Sequence, residues 1–491
     1  MPPQDYDRLT ALDNSFLLLE GPDAYMHVAS TAIFDAGPLR SSSGGIRAEE
    51  IRRLTEASLH RIPRYRQKLA WIPFQQRAVW RDDDDFNLDY HFRHTSLPKP
   101  GTDEQLKRLS ARIMQQHLDR DRPLWEMWVV EGLERDRFAL ISKVHHCMID
   151  GVSGVDLMNI LMSIDPQQEI PTTPVFEPRP APGSLQLLRD EWTRRFSLPG
   201  EIFRDAQGFF REAEDTRQEL SVRARALLET LGGTLRQVSK TPFNQPIGPH
   251  RRFDWIAFEL ADVKEVRRKL GGSLNDIVLA IVAGAVRQFL ERRRVDPSEI
   301  LFRIMAPVSV RSDQEAGTLG NRVSAWIAEL PIGEPDPRKR LALIRERTLE
   351  LKASKQAVAA EMLTRVADWS SSTLLALGAR TATRMLPFNM VVTNVPGPQV
   401  PLYSLGARML EVFPHVPLAD NLGLGVALMS YDGKLFWGFN ADYDLVPDLD
   451  HFVRAIRSSF EEMRECCEAP TPHSDHAPPL PDTGAPPPEP V

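Results

Sequence analysis

Apolar and polar positions in the first third of the chain predict a strand hairpin followed by a helix. Residues 125–133 and 138–144 are mostly apolar, and the charged turn 134–136 separates them, so we expect two paired strands. Further along, apolar side chains recur at roughly helical spacing, at Val152, Val155 and Ile160. Residues 145–151 therefore lie on a turn between a strand and a helix.

Proline-rich stretches divide the rest of the chain. Residues 165–183 are rich in proline and mostly polar, and a second proline-containing stretch covers 241–249, which is the chemistry of linkers. A helical segment over 184–240 lies between them, and a fresh strand at 253–260 begins a second domain. We therefore predict an N-terminal domain, a linker with a helical connector, and a C-terminal domain, which cover residues 1–165, 166–250 and 251–465.

The second domain is predicted to alternate strands and helices. Ser273 can cap a helix that continues through Leu290, and strands are expected at 301–310 and 323–330. The Asp432-Gly433 pair is typical of a tight hairpin turn between two apolar strands. Residues 466–491 are dominated by residues that cannot bury a core, and we expect this tail to be disordered.

Length, composition and charge indicate the number of domains, the kind of partner and the cellular location. The 491 residues exceed what one core usually supports, and the formal net charge of -7 with no long basic run gives no reason to expect nucleic acid. The three cysteines make no disulfide framework, and the N-terminus lacks the basic and apolar regions of a signal peptide. We expect a cytoplasmic protein.

The stretch with the clearest chemistry is His145-His146-Cys147-Met148-Ile149-Asp150-Gly151. A neutral imidazole is well matched to moving a proton near pH 7, and an acid four residues on can fix the loop that aims it. Side chains of successive residues on a strand point to opposite faces. One histidine is therefore expected to carry the chemistry and the other to support it.

Other interpretations of this motif remain open at the level of the residues alone. The histidines can be two satisfied, half-buried polar groups, and Asp150 an ordinary helix N-cap. Two histidines and a carboxylate are also a conceivable zinc set, but adjacent histidines diverge and no HExxH or CxxC spacing supports them, so we expect no metal. Cys147 is expected to pack rather than act as a nucleophile, because neighbours on a strand point apart.

The motif also resembles a known family. His145-His146-xxx-Asp150-Gly151 resembles the HHxxxDG signature of acyltransferases that act on thioesters of coenzyme A or a carrier protein, the superfamily of chloramphenicol acetyltransferase and peptide-synthetase condensation domains. From about residue 5 to 465, further motifs resemble the bacterial wax ester synthase/diacylglycerol acyltransferase family in order and spacing. They are Leu12-Asp13-Asn14-Ser15-Phe16, Met26-His27-Val28, Pro123-Leu124-Trp125-Glu126, Asn275-Asp276, Pro307-Val308-Ser309-Val310-Arg311 and Asn394-Val395-Pro396-Gly397-Pro398.

The resemblance implies a fold and roles for the site residues. The fold is α/β (α+β), with two chloramphenicol acetyltransferase-like domains whose mixed sheets face each other across a central substrate tunnel. His146 matches the second histidine of the family and is expected to be the general base, with His145 supporting it. Asp150 is expected to pair with Arg311 and hold the loop geometry.

Three further residues keep two interpretations each. Gly151 can place a backbone N–H near the oxyanion or serve sterics alone. Asn275 can donate to the oxyanion or orient His146, and Asp276 can complement the dipole of the helix that it begins. For both of these residues, a site role and a scaffold role are equally compatible with the sequence.

The resemblance implies an acyl-CoA-dependent O-acyltransferase that esterifies diacylglycerol or a long-chain alcohol, giving triacylglycerol or wax ester. No cofactor is expected beyond acyl-CoA as co-substrate, and the protein is expected to be a monomer or homodimer. The alternatives are a condensation-type transfer from a carrier-bound thioester and a non-catalytic lipid-binding or droplet protein.

A lipid substrate raises the question of membrane contact. No stretch approaches the roughly 20 apolar residues of a membrane helix, and the longest, 277–286, is expected to form a buried helix. Contact with the inner membrane or lipid droplets is therefore expected to be peripheral. The segment 184–240 has aromatic and arginine residues that suit a lipid interface, although such a stripe more often packs on its own domain.

Overall fold

Two six-stranded mixed sheets carry the fold, in a computed structural model that describes residues 5–75, 77–148, 161–193, 238–309, 323–353 and 387–468. The N-terminal half contributes the strands β1 (Asp7–Arg8), β2 (His27–Asp35), β3 (Gln67–Trp71), β4 (Ala78–Asp82), β5 (Phe92–Ser96), β6 (Trp125–Leu133) and β7 (Arg137–His145). Its helices are α1 (Ala11–Leu19), α2 (Ala48–Ser58), α3 (Leu88–His91) and α4 (Asp103–Met114). Residues 184–193 form a further helix, α5.

The C-terminal half supplies the second sheet and its covering helices. Its strands are β8 (Arg251–Glu259), β9 (Phe302–Ser309), β10 (Val323–Leu330), β11 (Met390–Pro396), β12 (Tyr403–Ser404), β13 (Ala407–His415), β14 (Leu424–Tyr431) and β15 (Lys434–Asp442). The described helices are α6 (Leu260–Leu270), α7 (Leu274–Arg292), α8 (Pro337–Ala353) and α9 (Leu449–Glu468).

The predicted hairpin is present and delivers the histidine motif. Strands β6 and β7 pair antiparallel, and the turn between them places Arg135 and Asp136 at φ values of 61° and 54°. Strand β7 also pairs with β2, with His145 opposite His27. The sheet order is β12-β13-β2-β7-β6-β5, so β7 lies in the interior of the sheet and its side chains are almost all buried.

The C-terminal sheet confirms most of the elements predicted for that half. Its order is β10-β9-β11-β14-β15-β8, with β11 parallel to both neighbours, so both sheets are mixed as expected. Ser273 caps α7, and the run 277–286 inside that helix is buried throughout. Asp432 and Gly433 both adopt positive φ in the tight turn between β14 and β15.

Two strands from beyond residue 250, where the C-terminal domain is predicted to begin, belong to the N-terminal sheet. Strands β12 and β13 follow β11 in sequence but extend the N-terminal sheet, where β13 pairs antiparallel with β2. The apolar pattern of a strand indicates that it will be buried and does not indicate which sheet it joins. The two halves are therefore tied together by an exchanged segment.

This exchanged segment packs tightly against the C-terminal sheet. The ring of His415 on β13 stacks on Phe253 of β8 with centroids 3.4 Å apart, and its Nε2 lies 3.0 Å from the Thr31 hydroxyl. On β15, a Cβ added to Gly438 would lie 1.9 Å from the Pro414 carbonyl oxygen, so only glycine permits this approach of the two backbones.

The connector begins by docking on a small satellite sheet of order β1-β4-β3. Leu187 of α5 is buried with Ile72 and Val79 of the hairpin β3–β4, and Glu191 accepts from Arg8 at 2.6 Å. Residues 194–237 of the segment predicted to be helical lie outside the described residues, and residues 238–240 are not helical. Of the predicted disordered tail, residues 469–491 lie outside the described residues, whereas 466–468 form the last residues of α9, contrary to the prediction.

Candidate active site

The end of β7 and the short 3-10 turn His146–Met148 hold the two histidines. Backbone bonds fix both residues: His145 N donates to Leu124 O at 2.9 Å, and His146 N donates to Met26 O at 2.7 Å. The extended backbone ends at His145, so the adjacent rings occupy different environments. The family motifs around Leu124 and Met26 are thereby brought to the histidine turn.

Each ring nitrogen of His145 lies close to a polar group of the protein. Its Nδ1 accepts from the backbone N–H of Cys147 at 3.1 Å, and its Nε2 lies 3.0 Å from Oε1 of Glu20. The side chain is only 1% exposed. With Nδ1 acting as an acceptor, the neutral ring carries its proton on Nε2, the nitrogen that lies beside the Glu20 carboxylate. His145 therefore has no ring nitrogen available to take a proton from a substrate.

Glu20 is the acid at the centre of this arrangement. Its Oε2 accepts from Arg120 at 2.6 Å and its Oε1 accepts from the backbone N–H of Met26 at 2.9 Å. Burial alone would raise the pKa of Glu20, but the contact with His145 and the hydrogen bond from Arg120 hold this pKa well below its usual value. The carboxylate is therefore ionised at neutral pH.

His146 lies in a different environment. Its ring stacks on Phe16 of α1 with centroids 3.9 Å apart and an interplanar angle of 22°. Its Nδ1 is buried and has no hydrogen-bond partner among the described residues. Burial is the main cause that lowers the pKa of His146 to about 4, so the ring is neutral at pH 7 and able to accept a proton.

A third histidine completes the buried cluster. His27 faces His145 across β2 and β7, with ring centroids 5.8 Å apart, and its Nε2 lies 3.8 Å from Glu20 Oε1. Burial, followed by the charge of Lys143, lowers the pKa of His27 well below its usual value. His27 therefore packs beside the motif as a neutral ring.

Cys147 is buried in the core of the N-terminal half, in agreement with its predicted packing role. Burial raises the pKa of its thiol well above the usual value, which keeps the sulfur protonated. A thiol in that state is a poor nucleophile.

In the C-terminal half, the two residues of the Asn-Asp pair have different environments and different partners. Asp276 is buried in a capping box with Ser273, whose backbone N–H donates to the carboxylate at 2.7 Å, and the Thr348 hydroxyl donates to it at 2.8 Å. Asn275 is exposed instead, and its Oδ1 accepts from Asn394 Nδ2 at 2.7 Å. The Asp276 carboxylate is thus occupied by the start of α7, whereas Asn275 joins two family motifs.

Asp150, Gly151 and Arg311 lie outside the described residues. The expected pairing of Asp150 with Arg311 and the two interpretations of Gly151 therefore stay predictions. Within the described ranges, no group of three or more His, Cys, Asp or Glu side chains is arranged to hold a metal ion.

Sequence reasoning did not find Glu20 or Arg120. One signal was available: Glu20 is a charged residue directly after the apolar run Leu17-Leu18-Leu19, between two family motifs. A charge that ends an apolar helix is common, so this position alone does not indicate a site. Arg120 stands in a polar loop without any pattern that distinguishes it.

Solved structures define the fold class. The wax ester synthase/diacylglycerol acyltransferase from Marinobacter aquaeolei VT8 matches with a TM-score of 0.67 at 24% identity, covering 94% of this chain and 100% of that one. The starter condensation domain of rhizomide synthetase matches with a TM-score of 0.56 at 13% identity, covering 94% of this chain and 95% of that one. The predicted fold class, shared by these acyltransferase and condensation enzymes, is confirmed.

Sequence comparisons identify the family within that class. Residues 9–278 match the wax ester synthase/diacylglycerol acyltransferase catalytic domain, and residues 319–464 match the corresponding C-terminal domain. The probable diacylglycerol O-acyltransferases tgs1 and tgs2 of Mycobacterium tuberculosis are each 32% identical to this chain, over 93% and 94% of its length and 96% and 99% of theirs. The chain belongs to the wax ester synthase/diacylglycerol acyltransferase family.

Proposed function

We propose that this enzyme transfers a fatty acyl group from acyl-CoA to the hydroxyl of diacylglycerol or a long-chain alcohol, with His146 as the general base. The observation that carries the assignment of the base is the contrast between the two adjacent rings. In His145, Nδ1 accepts from Cys147 N and Nε2 lies 3.0 Å from the Glu20 carboxylate, whereas His146 is neutral and its Nδ1 has no hydrogen-bond partner within the described part of the chain.

The reaction needs a base because an alcohol is a poor nucleophile at neutral pH. His146 takes the hydroxyl proton as the new C–O bond forms at the thioester carbonyl. Collapse of the tetrahedral species breaks the C–S bond, and the proton passes from the imidazolium to the departing thiolate. One imidazole thus serves as base and then as acid, and the ring ends in its starting state.

The state of the Cys147 thiol supports direct transfer between the two bound substrates, without an acyl-enzyme. The thiol next to His146 belongs to Cys147, which is buried and protonated, so it does not supply a nucleophile for an acyl-enzyme. No cofactor is required by this scheme, because acyl-CoA already carries the activated acyl group.

The direct test measures transfer from labelled acyl-CoA to diacylglycerol and to hexadecanol in parallel. We expect the native enzyme to form ester with one or both acceptors, and His146→Ala to lose roughly 100-fold or more in turnover. His94→Ala, which removes a histidine from β5, is the matched control and should keep its activity. Near-normal turnover by His146→Ala would refute the assigned base. A native enzyme that ignores acyl-CoA but uses acyl carrier protein would instead support the condensation-type alternative.

We also infer that the enzyme meets its lipid substrates by peripheral contact. No single helix among the described residues is long and apolar enough to cross a membrane, although α6 and α7 together reach that length and composition across a 96° bend. At the tip of the hairpin β3–β4, Phe74 is 99% exposed and Trp71 is 41% exposed. Aromatic side chains of this kind favour the boundary between water and lipid.

Vesicle binding tests this contact. Phe74→Ser combined with Trp71→Ser should reduce co-sedimentation with phosphatidylcholine vesicles that contain diacylglycerol, because it removes the exposed aromatic tip. Leu349→Ser is the control, since Leu349 is a comparably exposed apolar residue on α8. Equal vesicle binding by the native enzyme and the hairpin variant would exclude this tip as the contact.

A further inference from the structure

The buried carboxylate of Glu20 is linked to His146 along two separate routes. On the first route, Glu20 Oε1 lies 3.0 Å from His145 Nε2, and the Nδ1 of the same ring accepts from Cys147 N. On the second route, Glu20 Oε1 accepts from Met26 N, and Met26 O accepts from His146 N. The residues on both sides of His146, and its own backbone N–H, are thereby tied to one carboxylate.

The charge of this carboxylate is itself supported. Arg120 donates to Glu20 Oε2 at 2.6 Å and to the Leu17 carbonyl at the end of α1 at 3.1 Å. The Glu20 side chain is 7% exposed, so its interactions are only weakly screened by water. α1 also carries Phe16, which stacks on His146. Arg120 and Glu20 therefore hold the helix and the turn between which the His146 ring lies.

The tautomer of His145 depends on this contact. Its Nδ1 can accept from Cys147 N only when the proton of the neutral ring is on Nε2, and the negative charge of Glu20, 3.0 Å from Nε2, favours the proton on that nitrogen. Without Glu20, the buried Nε2–H would lose the nearby negative charge that favours it, and the alternative tautomer would break the bond to Cys147 N that shapes the turn.

We propose that Glu20 is a positioning residue for acyl transfer: held by Arg120, it fixes His145 as the Nε2–H tautomer and so orients the turn that presents His146. This inference rests on the function proposed above, in which His146 is the base. Glu20 touches neither substrate nor reacting atoms in this scheme, and its effect on the rate passes through His145 and Met26.

The experiment compares E20A and E20Q with the native enzyme. E20Q keeps an oxygen that can accept from Met26 and lie beside His145, but its amide nitrogen replaces the oxygen that accepts from Arg120, so we expect its kcat to fall by about fivefold. E20A removes the acceptor, and we expect a loss of roughly 100-fold in kcat with KM for acyl-CoA within about threefold, because small misplacements of a catalytic group have effects of that size. Recovery of the rate in E20Q relative to E20A is the signature of positioning.

Glu191 provides the matched control. Its side chain is fully buried and, like that of Glu20, is paired with an arginine, but it lies on α5 against Arg8 of the satellite sheet. E191A should lower the melting temperature without lowering kcat per folded molecule. A folded E20A that keeps kcat within twofold of the native value would overturn the proposal, as would equal losses of kcat in E20A and E191A.

A second measurement separates this proposal from the proposed function. In protein labelled with 15N-histidine, the imidazole signals of His145, assigned by their loss in H145Q, should report the Nε2–H tautomer in the native protein and in E20Q but not in E20A. A native enzyme without acyl transfer activity would refute the proposed function and leave this readout to decide the role of Glu20. A native His145 that is not the Nε2–H tautomer would overturn the role of Glu20 whatever the activity.

Discussion

The ring of Phe16 lies flat against the ring of His146, with centroids 3.9 Å apart, and joins the first helix of the chain to the histidine motif 130 positions later. Phe16 belongs to α1 and His146 to the turn after β7. The stack removes one face of the imidazole from water and limits the rotation of its ring. It therefore contributes both to the depressed pKa of His146 and to its orientation.

Replacement of Phe16 should weaken catalysis more than stability. We expect Phe16→Ala to lower kcat roughly tenfold, because the ring of His146 gains freedom, and to move the acid limb of the rate profile to higher pH, because the imidazole becomes hydrated. Phe16→Tyr keeps the stacked ring and should stay within about threefold of the native rate. Steady-state kinetics between pH 5 and 8 would check this, and identical profiles for native enzyme and Phe16→Ala would contradict it.

The pH dependence of the native enzyme follows from the pKa of His146, which burial lowers to about 4. The base is then almost fully neutral at pH 5.5, so kcat/KM at pH 5.5 should be close to its value at pH 7. A histidine with the ordinary pKa of about 6.5 would lose about eightfold over the same interval. Initial rates in buffers of constant ionic strength would distinguish the two cases.

The free energy of unfolding, unlike the expected rate, should change between pH 7 and pH 5.5. It must therefore be measured on the same samples. Burial also lowers the pKa values of His27 and His415, the latter to about 3. Because these pKa values are lower in the folded than in the unfolded protein, the unfolded chain takes up protons first as the pH falls below about 6.5, and the free energy of unfolding decreases. Circular dichroism at each pH separates loss of fold from protonation of the base.

The thiol of Cys147 should be dispensable for the reaction. Cys147→Ala removes a buried sulfur and should lower the free energy of unfolding by about 1–2 kcal/mol while kcat per folded molecule stays within about threefold. Iodoacetamide should label Cys466 and Cys467, which are partly exposed, before Cys147. Loss of more than 100-fold in kcat in folded Cys147→Ala would show instead that the sulfur takes part in the chemistry.

Local patterns were sufficient for the strands that carry the motif. The hairpin of β6 and β7, the capped helix α7 and the turn at Asp432-Gly433 each follow from periodicity, capping and turn chemistry within about 20 residues, and each is present in the structure. The different environments of the two histidine rings were also predictable, because adjacent side chains at a strand end must diverge.

The contacts of the candidate site could not be predicted from the sequence, because they depend on pairing between strands that are far apart in the chain. Glu20 reaches His145 only because β2 pairs with β7 in the register that places His27 opposite His145, and no local pattern specifies that register. The same limit applies to β13, whose apolar pattern is satisfied by either sheet. The resemblance to the family indicated that these motifs belong together, and the structure shows the contacts between them.

The two residues of the Asn-Asp pair should respond differently to substitution. Asp276→Ala removes the capping box and leaves the Thr348 hydroxyl without its acceptor, so we expect the free energy of unfolding to fall by about 2 kcal/mol with little change in kcat. Asn275→Ala should leave stability within about 0.5 kcal/mol and lower kcat roughly tenfold. Urea titrations and kinetics on the same samples test both, and the reverse pattern would assign the site role to Asp276.

Gly438 should be the residue of β15 that tolerates substitution least. In Gly438→Ala the new methyl group would lie 1.9 Å from the Pro414 carbonyl oxygen, and both backbones are held in sheets, so β13 must separate from β15. We expect the free energy of unfolding to fall by about 3 kcal/mol, measured by the urea midpoint. Gly183→Ala is the control, because an added Cβ there has nothing within 4 Å. Equal midpoints for the two variants would show that the exchanged segment is not held against the C-terminal sheet.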